Sequence, residues 1–153
     1  MPIYNRHWIN PNGGGTDAAQ LQHRGPALEI EVSVPPGYAA ALIDEKQPVP
    51  NAINGTALID TGAAFTAVDL AILESLLLQP VSTIQVTGPT GDEEQGVYRC
   101  QIALLGTHIP PFEQMVVGSR LSKFGHAALI GRDLLAGSLL VYDGVHGQWT
   151  IAV

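Results

Sequence analysis

The chain has 153 residues, of which 46% are hydrophobic and 14% charged, and its net charge is −7. One domain with its own core is expected at this length, and so apolar a composition suggests apolar surface covered by another subunit. The acidic balance, without any basic stripe, argues against nucleic acid or an anionic membrane as a partner.

Residues 1–25 are polar and rich in glycine, including Gly13-Gly14-Gly15, and read as a loose arm ahead of a domain over 26–153. The segment Gly13–Thr16 lacks the strand before it and the Lys-Ser/Thr after it that a phosphate loop requires. Met1–Trp8 has no signal-peptide apolar region, and the longest apolar run, near Leu76-Leu77-Leu78, is too short to span a bilayer, so a cytoplasmic protein is expected.

Ala27–Val34 alternates apolar and polar residues as a strand does, and Pro35-Pro36-Gly37 ends it. Residues 37–50 read as an insertion. Residues 51–60 form the next strand, with Asn54-Gly55 as a hairpin turn. Asp69 is a suitable N-cap for a helix over Leu70–Leu78, stopped by Pro80. Strands follow over 81–87, 97–105, 109–117 and 127–130, with a glycine-rich polar loop over 88–96. A helical turn begins at Asp133, and 139–143 and 148–153 form a terminal hairpin. Many short strands with frequent turn signals imply a mainly β, closed barrel-like domain.

The most informative stretch is Ala57-Leu58-Ile59-Asp60-Thr61-Gly62-Ala63-Ala64-Phe65, an apolar strand that delivers one aspartate into a glycine-containing turn. A carboxylate at the end of an apolar strand stays there because it is hydrogen-bonded or because it does chemistry. A second apolar strand, Ala128-Leu129-Ile130, runs into Gly131-Arg132-Asp133-Leu134-Leu135. The two motifs together resemble the retropepsin-like (retroviral-type) aspartic protease family. The order of elements extends the resemblance over 26–153.

That resemblance implies the retropepsin (acid protease) fold, with one short helix after the active-site loop and one C-terminal helical turn. It also implies an aspartic endopeptidase needing neither metal nor cofactor, acting on an extended peptide or protein substrate. Splitting a peptide bond with water takes a base and an acid, which two adjacent carboxylates supply. The chain offers one such aspartate, since Asp143-Gly144 lacks the Thr and lies in a hairpin turn. A working site therefore takes two chains, a homodimer joined so that Asp60 meets its copy.

By the resemblance, Asp60, Thr61 and Gly62 are the catalytic loop, with Thr61 bonding across the dimer. Ala63, Gly88, Gly91 and Ile130 are candidate substrate-contacting residues, Gly88 and Gly91 within a flap over about 87–96. Ile59, Phe65 and Leu129 are further pocket candidates. Gly131, Arg132 and Asp133 support the loop, with Gly131 letting the downstream strand pack beneath it. Retroviral members pair the second-motif arginine with an aspartate two positions after the motif glycine. Here that position is Ala64, so Arg132 needs another partner.

The terminal hairpin is closer to the protease domains of eukaryotic DNA-damage-inducible ubiquitin-receptor proteins, or to bacterial retropepsin-like proteins, than to a retroviral enzyme. It is expected to build much of the interface, so that deletion after Asp143 gives monomers, with Trp149 as a candidate anchor. The alternative is a catalytically silent retropepsin-like module for dimerisation or peptide binding. The five histidines have no metal-ligand spacing, and Cys100 alone allows neither a disulfide nor a Cys-rich zinc site. Cys100 reads as a strand residue rather than a reactive thiol.

Overall fold

The structure, a computed structural model, describes residues 1–88 and 91–153. The alternation over 27–34 becomes strand β2 (Ala27–Ser33), with Leu28, Ile30 and Val32 buried and Glu29 exposed between them. β2 pairs antiparallel with β3 (Ile53–Ile59). Asn54 and Gly55, expected as a turn, lie inside β3 opposite Glu31 and Ile30. The reason is packing: a Cβ on Gly55 would lie 2.4 Å from the Ala127 Cβ, so glycine serves here for close approach and not for turning.

β3 continues in parallel to β8 (Ala128–Ile130), which pairs antiparallel with β4 (Ala67–Asp69). β4 lies parallel to β7 (Phe112–Ser119), and β7 pairs antiparallel with β6 (Gly91–Leu104). The C-terminal end of β6 returns to β2, matching Leu104 to Ile30 and Gln101 to Ser33, and so closes the barrel. A mainly β, closed fold is therefore observed, as the turn density predicts. The N-terminal half of β6 leaves the barrel and forms a hairpin with β5 (Ser82–Gly88).

Most of the polar loop expected over 88–96 is this hairpin. Its acidic residues are compatible with strand structure because threonines face them: Thr83 donates to Glu94 and Thr87 to Asp92, each at 2.7 Å. The tip of the predicted loop, residues 89–90, lies outside the described residues.

A second sheet holds β1 (Ile3–His7), β10 (Gln148–Ala152) and β9 (Leu139–Asp143), with β10 in the middle. The expected loose arm is thus ordered. It supplies β1 and helix α1 (Ala18–Arg24), whose first turn is capped by Asp17 accepting the Gln20 N–H at 3.1 Å. Leu21 is fully buried and Tyr4 nearly so, two anchors too few to give a periodic signal in a polar, glycine-rich stretch.

Trp149 is 3% exposed and packs on Trp8 with ring centroids 5.7 Å apart, so it belongs to the core and not to a subunit interface. Ile151 and Ala152 are buried beside it. Deletion after Asp143 therefore removes core, and loss of a dimer on that deletion would not identify an interface.

The excursion over 37–50 begins with helix α2 (Pro36–Asp44), with Pro36 in the first turn where its missing N–H costs nothing. Asp69 caps helix α3 (Leu70–Ser75) as expected. Its other oxygen accepts the N–H groups of Leu121 at 2.7 Å and Ser122 at 2.6 Å, tying the 3₁₀ turn Ser122–Phe124 to the barrel. α3 stops earlier than its apolar run. Leu77 takes φ 57°, and Leu78 N–H bonds back to Leu73 C=O at 3.1 Å, which lets Leu76 and Leu78 turn inward. α3 and helix α4 (Arg132–Leu135) are the two expected helical pieces; α1 and α2 are additional.

Ile30, Val32, Val68, Leu73, Leu76, Ile102 and Val116 form the centre of the core. Cys100 sits among them as a strand residue, and burial pushes its thiol up to about 12. No helix among the described residues is long and apolar enough to cross a membrane.

Candidate active site

The parallel pairing of β3 with β8 sets the site. Ile59 stands opposite Ile130, so the chain emerges from both strands side by side, into Asp60 on one and Gly131 on the other. Asp60 N–H still reaches the Ile130 carbonyl at 3.0 Å, extending the ladder by one bond. Beyond that the Asp60 loop turns back: Ala63 N–H bonds to Asp60 C=O at 3.2 Å, and Gly62 N–H donates to Asp60 Oδ1 at 2.8 Å. A Cβ on Gly62 would lie 3.0 Å from that same oxygen, so the amide approaches this closely because glycine occupies the position. The carboxylate is half-buried, and among the described residues its Oδ2 takes no hydrogen bond.

The second motif clamps this loop from behind. Arg132 N–H bonds to Ala63 C=O at 3.0 Å and Asp133 N–H to Ala64 C=O at 3.3 Å. The Arg132 guanidinium, without an aspartate at position 64, donates through one nitrogen to Thr61 C=O at 2.8 Å and Gly62 C=O at 3.0 Å. Main-chain carbonyls of the Asp60 loop thus replace the missing carboxylate partner. A Cβ on Gly131 would fall 2.4 Å from the Phe65 carbonyl carbon, so the two segments touch backbone to backbone.

Behind them lies a polar centre of which the sequence marked Asp133 but not its partners Thr66 and Gln114. Thr66 is fully buried and donates its hydroxyl to Asp133 Oδ1 at 2.8 Å, while accepting the Gly131 N–H at 3.1 Å. Asp133 Oδ2 accepts Thr66 N–H at 3.0 Å and Gln114 Nε2 at 3.3 Å. A threonine between apolar residues reads as an ordinary strand residue until the partner segment is in place.

A mainly apolar cleft of about 380 Å³ opens beside the loop. Gly62, Ala63, Ala64 and Phe65 form one side, Val117 and Leu129 the floor, and Val86, Thr87 and Gln95 of the β5–β6 hairpin the other side. Of the candidate substrate residues, Ala63 lines this cleft. Ile130 does not, being 3% exposed with its side chain in the core, and Ile59 is buried in the same way. Gly88 and Gly91 pair at the end of the hairpin and are not in the lining, and Gly91 has φ 115°. Phe65 and Leu129 are in the lining as expected.

Asp143 is occupied elsewhere. It accepts the His146 N–H at 3.0 Å, and its other oxygen lies 2.8 Å from the His146 ring, which holds its carboxyl below the ordinary range. Among the described residues no group of three or more His, Cys, Asp or Glu side chains could hold a metal ion.

No family model and no curated protein matches this chain. Among solved structures, the solution structure of simian foamy virus (mac) protease is similar, at 22% identity and a TM-score of 0.46. The match covers 72% of this chain and 92% of that one. The reading of the site rests on its own geometry.

Proposed function

We propose that this chain is a retropepsin-type aspartic endopeptidase that hydrolyses peptide bonds as a homodimer. The observation that carries the reading is the Asp60 loop itself. One carboxylate oxygen is fixed by the Gly62 amide, the other takes no hydrogen bond among the described residues, and the loop is clamped by Gly131, Arg132 and Asp133 at the mouth of an apolar cleft. In the proposed reaction two such carboxylates, one per subunit, share a proton because their repulsion keeps one neutral. The ionised Asp60 takes a proton from water as it attacks the peptide carbonyl, and the neutral one protonates the leaving nitrogen.

The supporting roles follow from position. Thr61, exposed at the loop apex, meets the partner subunit, and Arg132 fixes the apex by holding two of its carbonyls. The β5–β6 hairpin is the flap, closing an extended peptide into the cleft and excluding water. Strand β9 stands at the edge of its sheet with Leu139 58% and Val141 48% exposed, apolar surface suited to a second copy.

Cleavage of a peptide library by wild type and Asp60→Asn, read by mass spectrometry from about pH 4 to 7, tests the proposal. Cuts made by wild type and absent from the variant are the expected result. A confirmed dimer that cuts nothing at any pH would replace it with the reading of a silent peptide-binding module.

A further inference from the structure

A second cleft, of about 610 Å³, is lined by Trp8, Gln20, His23, Arg24, Thr56, Leu58, Phe124, Gly125 and His126. Its character is opposite to that of the rest of the molecule. The chain carries 14 acidic and 7 basic residues, yet no lining residue is acidic, while one arginine and two of the five histidines are present.

Arg24 is set in place before any ligand arrives. It ends α1, and its guanidinium lies over the Trp8 ring at 5.1 Å from the centroid. Trp8 is itself pinned by its Nε1 donating to Gly25 C=O at 2.9 Å. Among the described residues no carboxylate lies within salt-bridge distance of Arg24. His126 holds a shielded Nδ1 without a hydrogen-bond partner among the described residues. The acid next to the cleft, Glu29, is already engaged by the Thr56 hydroxyl at 3.0 Å and is not part of the lining.

Position connects this cleft to Asp60. Side chains alternate along a strand, and Ala57 and Ile59 point into the core, so Thr56, Leu58 and Asp60 share the other face of β3. At about 3.3 Å per residue, Leu58 lies ~7 Å and Thr56 ~13 Å from Asp60 along the strand. An extended peptide covers the same span in about two to four residues.

We propose that this cleft binds the carboxylate of an acidic side chain, Asp or Glu, lying two to four residues from the bond positioned at Asp60 in an extended peptide. The inference rests on the protease reading for what Asp60 does, and on the cleft alone for what is recognised. Arg24 supplies the charge, His23 and Gln20 supply N–H donors, and Trp8 and Phe124 cover the aliphatic stem.

The test uses the full chain carrying Asp60→Asn, so that binding is read without cleavage. Two blocked apolar octapeptides are titrated by calorimetry, identical except for one Glu or one Gln three residues from the centre. The Glu peptide is expected to bind about tenfold tighter, the factor that a hydrogen bond to a charged group carries. Arg24→Gln, an exposed substitution checked by circular dichroism, is expected to abolish the difference between the peptides, and His23→Gln to reduce it. Equal affinities, a preference that survives Arg24→Gln, or no binding of either peptide overturns the proposal. Inorganic phosphate is the control for a free anion: Arg24-dependent phosphate binding without a Glu preference would also overturn it. A Glu preference with no cleavage by the wild type would uphold this cleft and remove the protease reading.

Discussion

Replacing Gly131 with alanine tests the packing on which the site depends. Gly131 has φ −84° and ψ 177°, extended backbone that any residue adopts, so the substitution adds a methyl group without dihedral strain. That methyl would lie 2.4 Å from Phe65 C, 2.6 Å from Phe65 O and 2.7 Å from Thr66 N. All three are backbone atoms of the segment that follows the Asp60 loop, and none can swing aside as a side chain would. Ordinary carbon contacts begin near 3.5 Å, so the two segments must part by about 1 Å. Overpacking of this kind costs about 1–3 kcal/mol. Stretching the bond from Gly131 N–H to the Thr66 hydroxyl adds about 1 kcal/mol. The expected loss is therefore about 2–4 kcal/mol, a fall in Tm of roughly 4–16 °C at this chain length. Urea titration followed by circular dichroism measures it, with Gly137→Ala as control because a Cβ there meets nothing within 4 Å. A Gly131→Ala protein within about 0.5 kcal/mol of wild type would refute the backbone-to-backbone contact.

Three further outcomes are expected. Thr66→Val keeps the shape but strands the Gly131 N–H and removes a donor to Asp133, so urea unfolding should show a loss of about 2–3 kcal/mol, largely recovered in Thr66→Ser. The Cys100 thiol, near 9.0 when unfolded and raised to about 12 when folded, binds its proton more tightly in the native state. Its stabilisation is complete below the unfolded value and is lost as pH rises through the window up to the folded one. The stability difference between wild type and Cys100→Ala should accordingly narrow by about 1 kcal/mol from pH 8.5 to 10; an unchanged difference would contradict the burial argument. Val141→Glu places a charge on the exposed face of β9 and should shift sedimentation toward monomer, with the fold retained by circular dichroism. A dimer of undiminished affinity would move the proposed interface elsewhere.

The strands over 27–34 and 128–130, the Asp69 cap and the terminal hairpin were legible because each is announced by local chemistry: alternation, a capping carboxylate, or turn residues between apolar runs. The Asp60 and Gly131 motifs were legible for the same reason, as apolar strands ending in glycine-containing turns. What was missed depends on non-local contacts. Gly55 looks like a turn residue, yet Ala127, some seventy positions later, decides that it is a packing residue. Leu21 and Tyr4 are two apolar anchors in a polar segment, and only the barrel they cover gives them a burial site. The Thr66–Asp133 pair joins residues 67 positions apart, and neither type is unusual where it stands. The acidic half of the hairpin reads as a loop in the sequence because its partners, Thr83 and Thr87, lie on the opposite strand.

The position of β10 between β1 and β9 bears on how the molecule assembles. β9 and β10 are neighbours in the chain and can pair as soon as both exist, but β1 must wait for a partner about 140 residues downstream, with Arg6 matched to Trp149. Closing so long a loop is entropically unfavourable, and pairings of large sequence separation form late. The β5–β6–β7 meander, all local contacts, has no such wait. The seam between β1 and β10 is therefore where native-state hydrogen exchange should show opening at lower free energy than in the barrel. The chain would then loosen first at the sheet that carries Trp149, with Tyr4 and Trp8 lifting away while the loop around Asp60 remains clamped.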